Sequence, residues 1–303
     1  MLAHLLGIQS ANSKYPCVWC KCNKEEFFKV DKEWSITDPN LGCRTHEEHA
    51  AILNHTDRKK IVSYGYEKQP IFKDIIPICR YMIDMLHLFL RVSDTLFNLL
   101  VKDCSLADKF DMGAISKFDV SSYKHMNSLQ HFLNEKCNVR FTFLWVAETK
   151  KLTWRDLVGP EKIKLFENFN LAEIIPGHEN FKNVEKIWNE FYELMTLVKQ
   201  CQIDSVDLKE RTGEWLKLFL KVYNKTTVTP YMHAFVQHLH EFVFLYKDIN
   251  AFNCQGLEKL NDMTTGQYFK GTNKHETALH QILKKRNRIE YLAAFVEKKE
   301  DES

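Results

Sequence analysis

Two pairs of metal-ligating side chains stand near opposite ends of this chain and constrain its fold more than any other feature. Cys17 and Cys20 lie in Pro-Cys-Val-Trp-Cys, and His233 and His238 lie in Tyr-Met-His-Ala-Phe-Val-Gln-His. Two thiolates and two imidazoles make up a tetrahedral zinc set. The two halves are more than two hundred residues apart. If they share one ion they close the whole intervening chain upon itself, and that makes the metal structural. Thr229 and Pro230 have the character of an N-cap and a first helical residue, so a helix is expected to begin there. Five residues along an ideal helix differ by about 140° in azimuth, so His233 and His238 reach one ion only if the helix breaks near the site. Cys22, Cys43, His46, His49, His87 and His240 carry the same donor types. The ligand set is therefore open on spacing alone, and His240 can stand in for either neighbour. The ordinary role for each isolated histidine is a hydrogen-bonded or surface side chain.

Only ten glycines and seven prolines among 303 residues leave few places to interrupt a helix, so a helix-rich chain is expected. Its length suffices for one large or two ordinary domains, each with its own core. A net charge of +2 excludes a chain that seeks polyanions over its whole surface and confines nucleic-acid contact to local patches. The nine cysteines follow no regular framework, and the start Met-Leu-Ala-His-Leu-Leu-Gly-Ile lacks the basic segment of a secretion signal. Reduced thiols in an intracellular protein are expected. No stretch of the sequence reaches the ~20 apolar residues of a membrane-spanning helix.

Residues 1–10 read as a short buried apolar helix, and residues 11–23 as a polar turn carrying the cysteines. Between Tyr81 and Val101 apolar residues occupy all sides of the helical wheel, which predicts a central helix buried on most sides. Alternation of Val139, Phe141 and Phe143 with Arg140 and Thr142 predicts one isolated strand. Val184, Ile187, Trp188, Phe191, Leu194, Met195 and Val198 recur at i, i+3, i+4, i+7, the clearest amphipathic helix in the sequence. Further helices are expected over 208–223 and 276–296, the last with Leu279, Ile282, Leu283, Ile289, Leu292 and Val296 turned inward. Trp188 and Trp215 belong to the expected core.

Glu258 follows His238 by twenty residues and precedes Lys259, as a solvated helix residue does. Metal-assisted phosphodiester chemistry needs several carboxylates to hold two divalent ions, and one Glu cannot supply them. Asp84, in a mostly apolar segment, reads as a helix-packing or hydrogen-bonding side chain. Lys270, Lys274, Lys284, Lys285, Arg286 and Arg288 could form a phosphate-contacting face or an ordinary solvated one. Tyr268 and Phe269 among them read as core residues, and Lys-Lys-Arg-Asn-Arg fits a short nuclear-import pattern.

Taken in order, several motifs resemble the DDE-type transposase family, which includes the catalytic subunit of the V(D)J recombinase and Transib-like elements. They are the Cys17–Cys20 motif, Pro70-Ile71-Phe72, Ile83-Asp84-Met85-Leu86-His87, Tyr231-Met232-His233 with His238, and Glu258. The resemblance covers nearly the whole chain as scattered short motifs. Its specificity lies in the Cys pair and the His233, His238, Glu258 spacing. It implies an RNase H-like core interrupted by a large zinc-braced helical insertion. Cys17, Cys20, His233 and His238 would bind the zinc, and Glu258 would be the third metal-binding carboxylate. The family's first two acids precede the Cys pair, whereas residues 1–16 contain no Asp or Glu. By that departure the chain resembles the C-terminal portion of a transposase, with Mg²⁺ or Mn²⁺ held only by a complete parent enzyme. Leu2, Leu5, Leu6 and Ile8 would then lie on an exposed apolar edge facing the missing sheet.

The expected fold is mainly α: a helical bundle braced by zinc, with little β and an incomplete RNase H-like core, in stretches 1–24, 25–230 and 231–303. The expected function is that of a catalytically incomplete transposase-derived fragment whose parent cleaves and joins DNA. The alternatives are a non-catalytic zinc-stabilised helical module that binds DNA or protein, and an unrelated helical zinc protein with the same spacing. Expected partners are DNA through the basic patch and a second copy or a complementing transposase segment. No membrane partner is expected, and the nucleus is the expected compartment.

Overall fold

The computed structural model describes residues 2–57, 59–111, 118–252 and 255–301; the side chains of residues 2, 255, 257, 258 and 293–301 lie outside that description. The chain divides into two compact units, Met1–Phe252 and Asn253–Ser303. Ten helices of the first unit are α1 (Leu2–Leu5), α2 (His46–Asn54), α3 (Met85–Ala107), α4 (Lys124–His131), α5 (Gly159–Asn168), α6 (Leu171–Ile174), α7 (Phe181–Lys199), α8 (Ser205–Val222), α9 (Pro230–Gln237) and α10 (Leu239–Tyr246). The second unit is a pair of helices, α11 (Gln255–Gly271) packed on α12 (Ala278–Asp301). The chain is mainly helical, and the sheet among its described residues is one antiparallel pair, β1 (Phe143–Val146) and β2 (Lys151–Trp154). Among the described residues no helix is long and apolar enough to cross a membrane.

The central helix α3 begins where Asp84 accepts hydrogen bonds from the Leu86 and His87 amides at 3.0 and 3.4 Å, an N-cap that satisfies two of the orphan donors of the first turn. Leu88, Val92, Leu96 and Leu100, four residues apart, are fully buried along it. α3 packs against α4, α5 and α9, and α7 packs against α8. All seven residues of the α7 stripe are buried, Val184 through Val198. Across the α7–α8 contact the Trp215 indole N–H donates to the Ile187 carbonyl at 2.9 Å, so a large apolar ring enters the core with its one donor satisfied. Phe191 and Trp215 each meet Phe235 edge to face at 5.2 Å, which ties α9, carrying one histidine of the candidate set, into the main core.

Two local expectations are corrected. The predicted alternation is real, since Val139, Phe141 and Phe143 are buried while Arg140 and Thr142 are exposed. Over 139–142, however, the extended backbone is held by side-chain amides rather than by a strand. Asn134 pairs with both the N–H (2.8 Å) and C=O (3.1 Å) of Phe141, and Gln130 takes the Phe143 N–H at 3.0 Å. The ladder starts at Phe143 and returns through a turn in which Lys150 adopts φ of 49°, a left-handed conformation without the usual Gly or Asn to announce it. The N-terminal helix is four residues long rather than spanning 1–10. Gly7 stops it at φ 64°, where a Cβ would lie 2.0 Å from the Lys68 carbonyl oxygen. Ile8 then bridges Tyr66, and Leu6 and Ile8 are buried with Leu53, Tyr66, Ile78 and Tyr81 in a second, smaller core. The expected exposed edge is, for these two residues, covered by this chain itself.

In the second unit Ala278 and Ile282 are buried, but Leu279, Leu283, Ile289 and Leu292, expected inward, are exposed; Val296 lies outside the described side chains. A two-helix unit has one neighbour per helix, too few to cover a broad apolar face. Phe269, expected in the core, is likewise exposed.

Candidate metal centre

Cys17, Cys20, His233 and His238 converge on one point. Their ligand atoms all lie within 4.8 Å of one another, and the four residues are buried. Cys17 Sγ sits 3.4 Å from His238 Nε2, and Cys20 Sγ sits 3.2 Å from His233 Nε2. A tetrahedral ion with Zn–S near 2.3 Å and Zn–N near 2.05 Å has S···N edges of about 3.5 Å. These two S···N separations therefore match the edges of such an ion. Two thiolates also neutralise a divalent cation, so the loaded centre adds no net charge to the interior.

The imidazole half is built by a break in a helix. Thr229 caps α9 by accepting from the Met232 amide at 3.3 Å, with Pro230 at the first helical position. α9 ends at Gln237 and α10 begins at Leu239; His238 lies between them at φ −125° and ψ −25°. That single non-helical residue removes the 140° mismatch expected of an unbroken helix and lets both rings face the cysteines, 5.0 Å apart between centroids. His233 stacks on Phe27 at 4.4 Å, and Trp19 meets His238 edge on at 5.9 Å.

The sulfur half is built from irregular backbone held by pairing and by one cation. Cys20 forms an antiparallel bridge with Cys43, the Lys21 amide donates to Gly42 O at 2.9 Å, and the Arg44 amide donates to Trp19 O at 2.9 Å. The buried Arg44 guanidinium then donates to the carbonyls of Cys17 (2.9 Å), Cys20 (3.0 Å), Tyr64 (2.9 Å) and Tyr15 (3.0 Å). It also lies over the Tyr66 ring at 4.9 Å. One side chain therefore fixes the carbonyls of both cysteines and links them to the smaller core. Spacing gave no hint of it, because its partners are backbone oxygens supplied by two separate segments, residues 15–20 and Tyr64.

Protonation in the cluster is shared. Burial raises the Cys17 thiol, but hydrogen bonding with Cys20 and the nearby His238 outweigh it and hold its pKa well below the ordinary value. Cys20 is pushed well up by burial and by the Cys17 sulfur beside it. Burial lowers His233. Burial also opposes the charge on His238, yet the Cys17 thiolate and Glu241 lift it to about 9. A divalent cation displaces these protons on binding.

The other donors stay outside the cluster. Cys22 is buried and donates to the Asn23 carbonyl at 3.5 Å, and burial raises the Cys43 thiol to about 11. His46 Nε2 meets the Ile76 carbonyl at 2.8 Å, His49 is stacked on Tyr66 at 3.9 Å, and His87 Nδ1 pairs with Asp84 at 2.6 Å. Burial takes His240 down to about 4. Glu258 is on α11 in the second unit, with its side chain outside the described residues. Lys270, Lys274, Lys284, Lys285 and Arg288 are exposed on that unit, and Arg286 pairs with Glu290 at 3.7 Å. No protein-family model matches the sequence, and no curated protein matches it either.

Proposed function

We propose that this chain is a zinc-clasped helical module of DDE-transposase descent whose 303 residues do not by themselves carry out DNA chemistry. The observation that carries the reading is the clasp, in which contacts between residues 213 and 221 positions apart bring two sulfurs and two imidazoles together. The buried Cys₂His₂ donor set with S···N spacings near a tetrahedral edge supports zinc over harder ions, which prefer oxygen. The zinc is structural because all four positions come from protein, leaving none for substrate.

Descent from a transposase is supported by the order of motifs and by the layout around the clasp: cysteines first, a long helical region between, histidines after it, and then a helix bearing Glu258. Glu258 alone gives one carboxylate where a pair of Mg²⁺ or Mn²⁺ ions needs several. The catalytic metals therefore belong to a complete parent enzyme, and these residues hold only the brace and the third acid. The exposed cations Lys270, Lys274, Lys284, Lys285 and Arg288 favour a second reading. In it the module is retained as a nuclear DNA- or protein-binding element, alone, with a second copy, or with a complementing transposase segment.

A purified sample tests the reading in two steps. Metal analysis is expected to give about one zinc per chain, and a Mg²⁺- or Mn²⁺-dependent nicking assay is expected to show no activity. Absence of zinc contradicts the clasp, and robust nicking abolished by Glu258→Gln contradicts the loss of chemistry. Salt-sensitive retention on duplex DNA that falls with Lys284→Ala and Lys285→Ala would favour the second reading.

A further inference from the structure

His238 presents Nε2 to the cluster, which leaves Nδ1 to a neighbour, and that neighbour is Glu241. Its Oε2 lies 3.4 Å from His238 Nδ1, one turn along α10. The carboxylate does not hang free from the helix. Ser35 Oγ donates to Oε1 at 2.6 Å, and the Ile36 amide donates to Oε2 at 3.0 Å and Oε1 at 3.2 Å. Gln237, the last residue of α9, donates to the Lys32 carbonyl at 3.2 Å and accepts from the Trp34 amide at 3.1 Å. The segment around residues 32–36 is thereby laid against the helix break. It holds the carboxylate in place for the imidazole, and the Glu241 side chain is only 17% exposed.

We propose that Glu241 is the positioning residue of the imidazole half of the metal centre: it fixes the His238 ring with the proton on Nδ1, keeps Nε2 free to coordinate, and raises the affinity for zinc. This rests on the reading that Cys17, Cys20, His233 and His238 share a zinc. Carboxylates behind metal-bound histidines act in this way by orienting the ring, fixing the tautomer and increasing ligand basicity. The arrangement also complements the sulfur half. Arg44, a cation, holds the backbone behind the cysteines, and Glu241, an anion, holds the ring behind one histidine. His238 and Glu241 stand at i and i+3, the one spacing that could have marked Glu241 in the sequence, since residues three apart share a helix face.

The test is zinc competition against a chromophoric chelator on the whole chain, comparing wild type, Glu241→Gln and Ser35→Ala, and then Glu241→Gln in a His238→Ala background. Glu241→Gln is expected to weaken zinc about 10- to 100-fold. Ser35→Ala leaves both Ile36 amide bonds to hold the carboxylate at His238 and is expected to stay within about twofold of wild type, as is the effect of Glu241→Gln once His238 is gone. An equal loss in the His238→Ala background, an equal loss from Ser35→Ala, or no loss from Glu241→Gln would each overturn the assignment. If Glu241→Gln does not fold, Glu241→Asp decides, since it keeps the charge but withdraws it by one methylene: weakened zinc supports the role and unchanged affinity overturns it. A wild-type chain that takes up no zinc refutes the shared-metal reading itself, an outcome visible before any variant is compared.

Discussion

Helices α7 and α12 carry apolar residues at the same kind of spacing, yet one stripe is buried and the other largely open. Along α7, Val184, Ile187, Trp188, Phe191 and Leu194 are at most 1% exposed, whereas Leu279, Leu283, Ile289 and Leu292 on α12 are 49–66% exposed. The difference lies in their neighbours. α7 is covered by α5, α6 and α8, and within its own unit α12 has α11 alone. Periodicity fixes that a segment is a helix and which face is apolar; what covers that face is decided by the rest of the fold. The first unit adds a further feature, because Cys17 and Cys20 meet His233 and His238 in one buried cluster that joins residues near position 20 to residues near position 235.

That contrast can be broken most severely by removing the metal. Structural zinc contributes of order 10 kcal/mol to folding in small zinc domains. Chelation is therefore expected to lower the main thermal transition by about 20–40 °C, at roughly 2–4 °C per kcal/mol for a unit of this size. The α11–α12 helices are expected to keep their amide protection, read by hydrogen exchange. Next in size, Trp188→Ala is expected to cost about 3–5 kcal/mol in denaturant unfolding, and Leu283→Ala within about 0.5 kcal/mol. Equal costs would mean that the apolar face of α12 is covered after all. Arg44→Met strips a buried cation from four carbonyl oxygens and is expected to destabilise by about 2–4 kcal/mol and to weaken zinc; an unchanged zinc affinity would confine it to packing.

His49 sharpens the comparison through pH. It is fully buried against Tyr66, and burial pushes its pKa to about 4 although the Lys68 backbone favours the protonated ring. Its folded-state pKa is depressed, so the stability it contributes is present above about 6.5, the unfolded value, and is lost as pH falls toward 4. The shift corresponds to at most about 3 kcal/mol. His49→Phe, measured beside wild type by denaturant unfolding across that range, is expected to flatten the acid slope of the first unit; parallel slopes would remove His49 from the explanation. Smallest of all, Asp84→Ala deletes the N-cap of α3 and is expected to cost about 1 kcal/mol, with no change in zinc affinity.

Much of this was legible in the residues. The α7 stripe, the start of α9 at Thr229 and Pro230, and the need for a break between His233 and His238 all follow from helical geometry and capping chemistry, which act within a few residues. Cys17, Cys20, His233 and His238 stood out as two donor pairs, but spacing alone left Cys22, Cys43, His46, His49, His87 and His240 open, and the long-range packing that gathers the four decides between them. What the sequence did not disclose depends on which partner each group meets, near or far along the chain. Asn134 and Gln130 take the place of a strand beside Phe141 and Phe143, Leu6 and Ile8 find Tyr66 and Leu53, and Arg44 gathers four carbonyls from two segments. Glu241 left a faint local trace in its offset from His238, but its other contacts, to Ser35 and Ile36, lie more than two hundred residues away.

X-ray absorption at the zinc edge of the purified protein probes the shared metal most directly. Two sulfurs at about 2.3 Å and two nitrogens at about 2.0–2.1 Å are expected, with one sulfur lost in Cys17→Ser and one nitrogen in His238→Ala. A shell without sulfur, or one that neither substitution alters, would contradict a metal held between the two ends of the first unit.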